Sequence, residues 1–258
     1  MYVNRIIPTL LIEGDSLVKT KKFTDLQYVG DPCNTMRIFN ELEVDEIIIL
    51  DISRFSSNHP PNYKLIGDLA NECFMPITYG GRITSIDNAK RIFELGVEKI
   101  SINTSNFNNP NLIKELSDKY GSQSIIASID VKYNFFRYPK LFQKKERFSL
   151  PYNPLEWALN LQSLGAGEIL LTTVDKEGTW EGMDINLIRL LSEKLSIPLI
   201  AHGGAGRLVH IYDALSKGKA SAVALGSMVT FQKKDKGVLV HFPDRAEIEE
   251  EIIKRLCV

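Results

Sequence analysis

Residues 76–105 read PITYGGRITSIDNAKRIFELGVEKISINTS, and residues 198–227 read PLIAHGGAGRLVHIYDALSKGKASAVALGS. Each stretch predicts a short apolar strand that starts at proline, a Gly-Gly turn, an amphipathic helix and a second apolar strand. A pattern of this length that occurs twice indicates one supersecondary unit used twice. These two copies decide the fold.

In each copy the second strand ends in small residues, where another helix is predicted to begin. Glycine lets a ligand approach the backbone closely, and a helix start offers free N–H donors and the positive end of the helix dipole. Both properties suit a phosphate, so the two copies predict two phosphate-binding cradles. Their candidate residues are Gly81, Asn103 and Thr104 in the first copy and Gly203, Gly204, Gly226 and Ser227 in the second.

Apolar runs bounded by turn residues predict eight strands, at residues 5–11, 46–51, 75–79, 99–102, 124–130, 168–173, 198–201 and 222–225. Amphipathic patterns between them predict helices, among them residues 33–42, 86–95, 111–119, 155–164 and 185–195. Strands that alternate with helices in this way favour an α/β fold, a parallel (β/α)8 TIM barrel.

The repeat extends over the whole barrel, because residues 5–11 are similar to residues 124–130, and residues 45–51 to residues 167–173. Alternation alone would make any such barrel look self-similar, but here residue identities recur as well. We therefore predict a twofold half-barrel repeat. The prediction is one TIM-barrel domain over residues 1–258, with half-barrels at about 1–122 and 123–230 and a divergent C-terminal extension at 231–258.

The chemistry of such barrels is placed at the C-terminal ends of the strands. This rule brings Asp51 and Asp130 to the same rim, where carboxylates can act as general acid or base. The alternative for each is a cap on the following helix. Long connections follow the first strand, at residues 12–31 with Lys19, and the fifth, at residues 131–151. Connections of this length are either lids and substrate clamps or mobile surface insertions.

The composition is that of an ordinary globular protein, with 44% hydrophobic and 24% charged residues. A net charge of −1 gives no electrostatic case for nucleic acid or a membrane surface. Three scattered cysteines favour a reduced, cytoplasmic compartment. The apolar start is too short for a signal peptide, and no run approaches the ~20 apolar residues of a membrane helix. Four dispersed histidines predict no metal site, and no cofactor is expected.

A colinear set of short motifs spans most of the chain: VK at 18–19, GDP at 30–32, LDI at 50–52, SINT at 101–104, GSQ at 121–123, SIDVK at 128–132, GAGEILLT at 165–172 and GGAG at 203–206. On this set the chain resembles the cyclase subunit of imidazole glycerol phosphate synthase, the ammonia-using barrel of histidine biosynthesis. The resemblance implies a glutaminase partner on the N-terminal face of the barrel. It also implies that ammonia passes through the barrel to a bisphosphate at the opposite face.

The family's entrance gate is a ring of one arginine, two glutamates and one lysine, which the resemblance places at Arg5, Glu46, Lys99 and Glu168. Each of these residues lies at the beginning of a predicted strand, so their charges can pair around the bottom of the barrel. The alternative is a purely structural ring of salt bridges. A retained ring predicts a retained glutaminase partner.

The departures from the family lie at the other rim. The resemblance implies two proton-transfer aspartates, and Asp130 is present, but Leu11 stands at the place of the other. Losing a positioned acid or base typically costs ~10²–10⁴ in rate. Arg82 replaces the third glycine of the first phosphate loop and would either hold an anion by its charge or obstruct the loop. Glu177 stands where the family has an aspartate before glycine, here Gly178. Residues 231–243 predict a short hairpin in place of the family's last helix.

These changes resemble a divergent branch of the family, found with bacterial surface-polysaccharide genes, in which the barrel supplies ammonia for amidination of an acetamido sugar. The C-terminal face would then meet a phosphorylated small molecule or a separate sugar amidotransferase. Asp130 is the predicted catalytic residue. The predicted substrate or phosphate contacts are Lys19, Asp51, Gly81, Arg82, Asn103, Thr104, Glu177, Gly178, Gly203, Gly204, Gly226 and Ser227. Two alternatives remain, a working cyclase and a non-catalytic scaffold that activates the glutaminase.

Overall fold

A computed structural model describes residues 5–53, 59–143, 148–149, 152–234, 236–244, 246–248 and 250. The strands in this part of the chain are β1 (Arg5–Glu13), β2 (Ser16–Lys21), β3 (Thr24–Gly30), β4 (Ile47–Asp51), β5 (Ile77–Gly80), β6 (Lys99–Ile102), β7 (Ile125–Tyr133), β8 (Pro139–Gln143), β9 (Phe148–Ser149), β10 (Glu168–Thr173), β11 (Leu199–His202) and β12 (Ala222–Leu225). The α-helices are α1 (Pro32–Glu41), α2 (Tyr63–Glu72), α3 (Ile86–Glu94), α4 (Thr104–Asn108), α5 (Asn111–Tyr120), α6 (Pro154–Ser163), α7 (Ile185–Ser192) and α8 (Leu208–Ser216).

Eight of these strands pair in parallel, in the order β1, β4, β5, β6, β7, β10, β11 and β12. Pairing of β12 with β1 closes the circle. These eight strands are the staves of the barrel. Four of them, β1, β4, β5 and β6, come from the first half of the chain, and the other four, β7, β10, β11 and β12, come from the second half. The predicted TIM barrel is confirmed.

Side chains alternate between the two faces of each stave, because successive residues of a strand point to opposite sides. On β1, Ile6, Leu10 and Ile12 belong to the core between barrel and helices, whereas Ile7 belongs to the core inside the barrel. The interior core is aliphatic and consists of Ile7, Ile48, Ile126, Leu170, Ile200, Ala222 and Ala224, with Leu50 packed against it. The same alternation sends Arg5, Thr9 and Leu11 inward.

The helices begin at capping residues that the sequence supplies. Asp31 accepts a hydrogen bond from the amide of Asn34 at 2.7 Å, directly before Pro32 at the first helical position of α1. Ser85 caps α3 and Asp184 caps α7 in the same way. Helix α8 is the amphipathic helix predicted in the second copy of the repeat, whereas α2 was not named from the sequence, although it occupies the expected place between two strands of the barrel.

The two long connections, which were predicted to be lids and substrate clamps or else mobile surface insertions, contain β-hairpins. Strand β1 runs on to Glu13 and pairs with β2, which pairs with β3. Strand β7 runs on to Tyr133 and pairs with β8. Leu11 and Asp130 are therefore not the last residues of their strands, because antiparallel pairing continues the ladder above the rim. The two hairpins occupy equivalent places in the two halves.

The predicted hairpin after the last stave is present. Phe231 and Val238 form an antiparallel bridge, and the amide of Gln232 donates to the carbonyl of Gly237 at 3.1 Å. The remainder of the predicted C-terminal extension lies partly outside the described residues, as does Cys257. In the described part of the chain, no helix has the length and apolar character needed to cross a membrane.

Candidate functional site

The bottom of the barrel carries a closed ring of four charged side chains from four different staves. Arg5 contacts both glutamates, with Nη1 3.0 Å from Glu46 Oε1 and Nη2 2.5 Å from Glu168 Oε2. Lys99 Nζ lies 2.5 Å from Glu168 Oε1 and 3.8 Å from Glu46 Oε2. The sequence placed all four residues at strand starts, and the structure brings all four together.

Burial alone would raise the pKa of Glu168, whose side chain is only 8% exposed. The hydrogen bonds from Arg5 and Lys99 outweigh burial and lower this pKa below its ordinary value. For Arg5, burial opposes the cation, but the two glutamates outweigh it and raise the pKa. The shifts of both groups favour their charged forms at neutral pH, and the ring sets two basic residues against two acidic ones.

Above the ring, the barrel interior is mostly aliphatic with a few hydroxyl groups. Ser101 and Ser128 share a hydrogen bond of 2.6 Å between their side-chain oxygens, and both are buried. Thr9 and Thr78 are also buried there. The interior joins the ring at one end to the opposite rim at the other.

At that rim, Leu11 and Asp130 lie on opposite sides, because β1 and β7 are four staves apart in a barrel of eight. Leu11 is 6% exposed and pairs in register with Leu50. Asp130 Oδ2 accepts a hydrogen bond of 2.7 Å from Asn103 Nδ2. One side of the mouth thus carries a carboxylate held by an amide, and the other carries a side chain that cannot move a proton.

The first hairpin brings Lys19 to the rim. Lys19 is 3% exposed, and its Nζ donates to the carbonyl oxygen of Thr9 at 2.5 Å. A Cβ atom built on Gly226 would lie 3.3 Å from this nitrogen and 3.5 Å from Nε2 of His202. Burial lowers the pKa of Lys19 to about 8, against the opposing charge of Glu177. A cationic amine therefore stands beside the second cradle at neutral pH.

Glu177 holds the same hairpin on the rim. Its Oε1 accepts from the hydroxyl of Thr20 at 3.1 Å, and its Oε2 accepts from the amide of Phe23 at 3.0 Å. Its carbonyl accepts from the amide of Lys22 at 3.0 Å. Lys22 and Phe23 both have positive φ, at 54° and 61°, which is strained for residues with a side chain. The three contacts from Glu177 stabilise this turn, so its carboxylate is occupied by protein groups.

The second cradle is a cleft at the ends of β10, β11 and β12. It is lined by Glu177, Gly178, His202, Gly203, Gly204, Ala205, Ala224, Gly226 and Ser227. Gly203 and Gly204 have φ of 97° and 104°. A Cβ on Gly204 would lie 2.3 Å from the carbonyl oxygen of Gly182, so only glycine fits there. Six predicted site residues, with Lys19 beside them, come together at this cleft.

The first cradle is arranged differently. Arg82, at φ 56°, points its guanidinium to Asp51 and forms an ion pair with Oδ2. The hydroxyl of Tyr79 donates to the same oxygen at 3.2 Å, and the amide of Ser53 donates to Oδ1 at 2.9 Å. The Asp51 side chain is 2% exposed. The capping alternative for Asp51 is wrong, since Asn62 caps the following helix and Asp51 closes a turn with Ser53 instead.

The ends of β5 and β6 are joined beside this pair. Asn103 precedes α4 and Thr104 is its exposed first residue. Asn103 does not cap the helix, since its amide is turned to Asp130. The hydroxyl of Ser105 donates to the carbonyl of Ile83 at 2.6 Å, which fixes the loop after Gly81 to the start of the helix.

The comparisons with known proteins agree with this geometry. The family described as "Histidine biosynthesis protein" matches residues 5–235. A Pseudomonas aeruginosa protein provisionally named imidazole glycerol phosphate synthase subunit hisF2 is 45% identical over 95% of this chain and 97% of its own length. A Vibrio vulnificus protein provisionally named subunit hisF3 is 38% identical over 96% and 95%. The imidazole glycerol phosphate synthase subunit HisF of Chlorobium phaeovibrioides is 39% identical over 90% and 92%.

The chain belongs to the HisF family. This membership confirms the resemblance at the level of the family and covers both halves of the barrel. The finer assignment, to a branch that serves surface polysaccharides, is a separate proposal.

Several residues of this HisF-family rim were not assigned a role from the sequence. His202 was considered, but packing was preferred; it lines the second cleft, and its Nδ1 lies 3.2 Å from the hydroxyl of Thr172. Burial, reinforced by the charge of Lys19, lowers the pKa of His202 to about 3, so the ring is neutral. Tyr79 and Thr20 were missed, because their partners Asp51 and Glu177 are distant in sequence. Among the described residues, no group of three or more His, Cys, Asp or Glu is placed to hold a metal ion.

Proposed function

We propose that this chain is the ammonia-delivering barrel of a glutamine amidotransferase system. A glutaminase subunit docks on the face that carries the ring, and ammonia passes through the barrel to the opposite rim. The observation that carries this proposal is the ring itself, in which Arg5, Glu46, Lys99 and Glu168 pair at the entrance of the interior.

The interior supports passage of the neutral molecule. Ammonium is a charge, and an unpaired charge is costly to bury among aliphatic side chains such as Ile7, Ile48 and Leu170. Ammonia is small and neutral and forms hydrogen bonds, for which the Ser101–Ser128 pair offers a partner along the way. The barrel thus favours ammonia over ammonium between the ring and the rim.

The rim supports a reaction other than the family's cyclisation. The family's cyclisation draws on two aspartates across the mouth of the barrel, whereas in this chain Leu11 faces Asp130. The proposed acceptor is an acetamido sugar of a surface polysaccharide, which becomes an amidine. Exchanging the amide oxygen for nitrogen requires that oxygen to be activated as a leaving group. No residue pair at the described rim is arranged for this step, so a separate amidotransferase on the C-terminal face would perform it.

The tip of the second hairpin suits such a partner. Phe135, Phe136 and Tyr138 are 94%, 74% and 65% exposed, and contiguous exposed aromatic side chains are typical of protein interfaces. Residues 131–143 contain three basic residues, Lys132, Arg137 and Lys140, and no acidic one. The expected occupant is therefore an acidic surface of the amidotransferase with an apolar pocket.

The test uses the chain with a co-purified glutaminase, the separate amidotransferase and an acetamido-sugar acceptor, and compares glutamine hydrolysed with ammonia released to bulk solvent and with product formed. Lys99→Ala should keep the complex but let ammonia escape at the entrance, so that free ammonia rises and product falls. Lys114→Ala removes an exposed lysine paired with Asp118 and is the matched control. Unchanged partition of ammonia in Lys99→Ala would argue for the scaffold alternative, in which the barrel only activates the glutaminase.

A working cyclase is the second candidate, favoured by the retained pair of Asp130 and Asn103 at 2.7 Å. Turnover of the histidine-pathway bisphosphate with saturating ammonium chloride distinguishes it. No turnover in the native chain, with activity appearing in Leu11→Asp, supports ammonia delivery. Native turnover close to that of Leu11→Asp would overturn the proposed loss of cyclisation.

A further inference from the structure

The two Gly-Gly loops of the repeat occupy equivalent positions in the sequence but differ in the side chains that surround them. Gly81 corresponds to Gly203, and Arg82 corresponds to Gly204. Arg82 keeps the left-handed backbone of its counterpart, with φ of 56° against 104°. For a residue with a side chain this conformation is strained, and it persists where the surroundings hold it in place. At Arg82 the ion pair with Asp51 is the feature that does so.

Arg82 forms a partly buried ion pair with Asp51. The carboxylate is 2% exposed, and the guanidinium side chain is 16% exposed. Removing one partner from a buried ion pair is strongly destabilising, because the other charge is left uncompensated. An anionic ligand that drew Arg82 away would leave Asp51 in that state and add a second negative charge beside it. The ion pair of the first cradle therefore offers a phosphate no net positive charge, and an arginine side chain stands where the other half has glycine.

The second cradle has the opposite character. Gly203 and Gly204 are buried and carry no side chain, and Lys19 Nζ stands 3.3 Å from the Cβ position of Gly226. This amine donates to a neutral carbonyl, that of Thr9, and not to a carboxylate. Glu177 acts on the amine through its charge and not through a hydrogen bond, so an anion in the cleft can approach the cation directly. The carboxylate of Glu177, which also lines the cleft, is held by Thr20 and Phe23.

We infer that the rim takes a ligand with a single phosphate group, seated in the second-half cleft beside Lys19, and that Arg82 excludes a second phosphate from the first half. The inference rests on the proposed function and adds to it the ligand class that the C-terminal rim would hold. It makes Arg82 a specificity-determining residue, because Arg82 removes the advantage that a second phosphate would give a bisphosphate over a phosphate monoester.

The test compares ribulose 5-phosphate with ribulose 1,5-bisphosphate by calorimetric titration of the full chain, and inorganic phosphate in crystals by difference density. The native chain should bind the two sugars with similar affinity and hold one phosphate, beside Gly203 and Lys19. Arg82→Gly combined with Asp51→Asn removes both charges of the pair and should leave no unpaired carboxylate. In this variant the bisphosphate should bind about 10- to 100-fold tighter than the monophosphate, and a second phosphate should appear at Gly81.

Lys19→Met is the companion variant and should lose the phosphate beside Gly203. Two phosphates in the native chain, a native preference for the bisphosphate, or no binding at the second cleft would each overturn the inference. So would a double variant that folds, as judged by circular dichroism, but gains no bisphosphate affinity. Ammonia partition in the Lys99→Ala complex does not depend on the phosphate, so failure here is distinguishable from failure of the proposed function.

Discussion

Replacing Glu168 by glutamine should destabilise the barrel, because this carboxylate accepts from two cations of the ring. Arg5 Nη2 and Lys99 Nζ each lie 2.5 Å from one of its oxygens. Breaking a fully buried pair costs about 3–5 kcal/mol, and an exposed pair contributes about 0–1 kcal/mol. The glutamate side chain is 8% exposed, but its partners are 30% and 23% exposed, so the cost lies between these limits, at about 2 kcal/mol.

For a domain of this size, a loss of about 2 kcal/mol lowers Tm by about 4–8 °C, which differential scanning calorimetry resolves. Glu193→Gln is the matched control. Glu193 also accepts from one arginine and one lysine, at 2.9 and 2.8 Å, but its side chain is 39% exposed. A much smaller shift is expected there, because solvent screens exposed pairs.

The pH dependence gives the reasoning a second check. The pKa of Glu168 is lowered in the folded state, so the unfolded chain binds more protons as the pH falls. Its contribution is therefore fully present above the ordinary value of about 4.5 and is lost as the pH falls through the folded pKa. The Tm difference between native protein and Glu168→Gln should shrink over that window. An equal Tm at pH 7, or a difference that does not change with pH, would refute the reasoning.

Gly178→Ala should destabilise the chain more than Gly14→Ala. Both glycines have positive φ, at 70° and 63°. A Cβ atom at Gly178 would lie 2.6 Å from the carbonyl oxygen of Thr20, whereas a Cβ atom at Gly14 would meet no neighbour. We expect about 1–2 kcal/mol for Gly14→Ala and a larger loss for Gly178→Ala, with faster amide exchange in β2 and β3; equal urea midpoints would contradict the contact. Lys19→Met should remove a rise of stability at alkaline pH, since the pKa of Lys19 is lowered to about 8 from 10.5 and the unfolded chain binds the extra proton between those values. The native stability relative to the variant, measured by urea unfolding, should increase by on the order of 3 kcal/mol from pH 8 to 10.5, and a flat difference would show that Lys19 is not buried as a cation.

The family resemblance placed the ring and the mouth residues, and alternation along the strands of the barrel explains why they face one interior. Arg5, Ile7, Thr9 and Leu11 follow a period of two, so a charge at the start of the strand implies that the residue six positions later faces the same interior. The same period on β7 takes Ile126 to Asp130. Strand starts and the inward faces of staves are local properties, which is why the sequence carried them.

The hairpins were not predictable in this way. Two-residue turns with positive φ at both positions usually carry Asn-Gly or Asp-Gly, whereas here the turn is Lys22-Phe23. Its stability comes from Glu177, more than 150 positions later in the chain. Likewise, the choice of Arg82 between an anion and an internal partner depends on Asp51, which a different strand presents. These outcomes depend on tertiary contacts that no local pattern contains.

The ring contains a lysine that competes with free ammonium for the two glutamates. The head group of Lys99 is a substituted ammonium, and it already occupies the position between Glu168 and Glu46 that a free ammonium ion would seek. With Arg5 on the other side, both carboxylates are neutralised by tethered cations that cannot diffuse away. A free ammonium ion would have to displace the ammonium group of Lys99, which is covalently attached to the chain. Neutral ammonia does not compete for this position. The entrance would then discriminate ammonia from ammonium because the competing cations are attached to the protein, and the ring would need no net charge to do so.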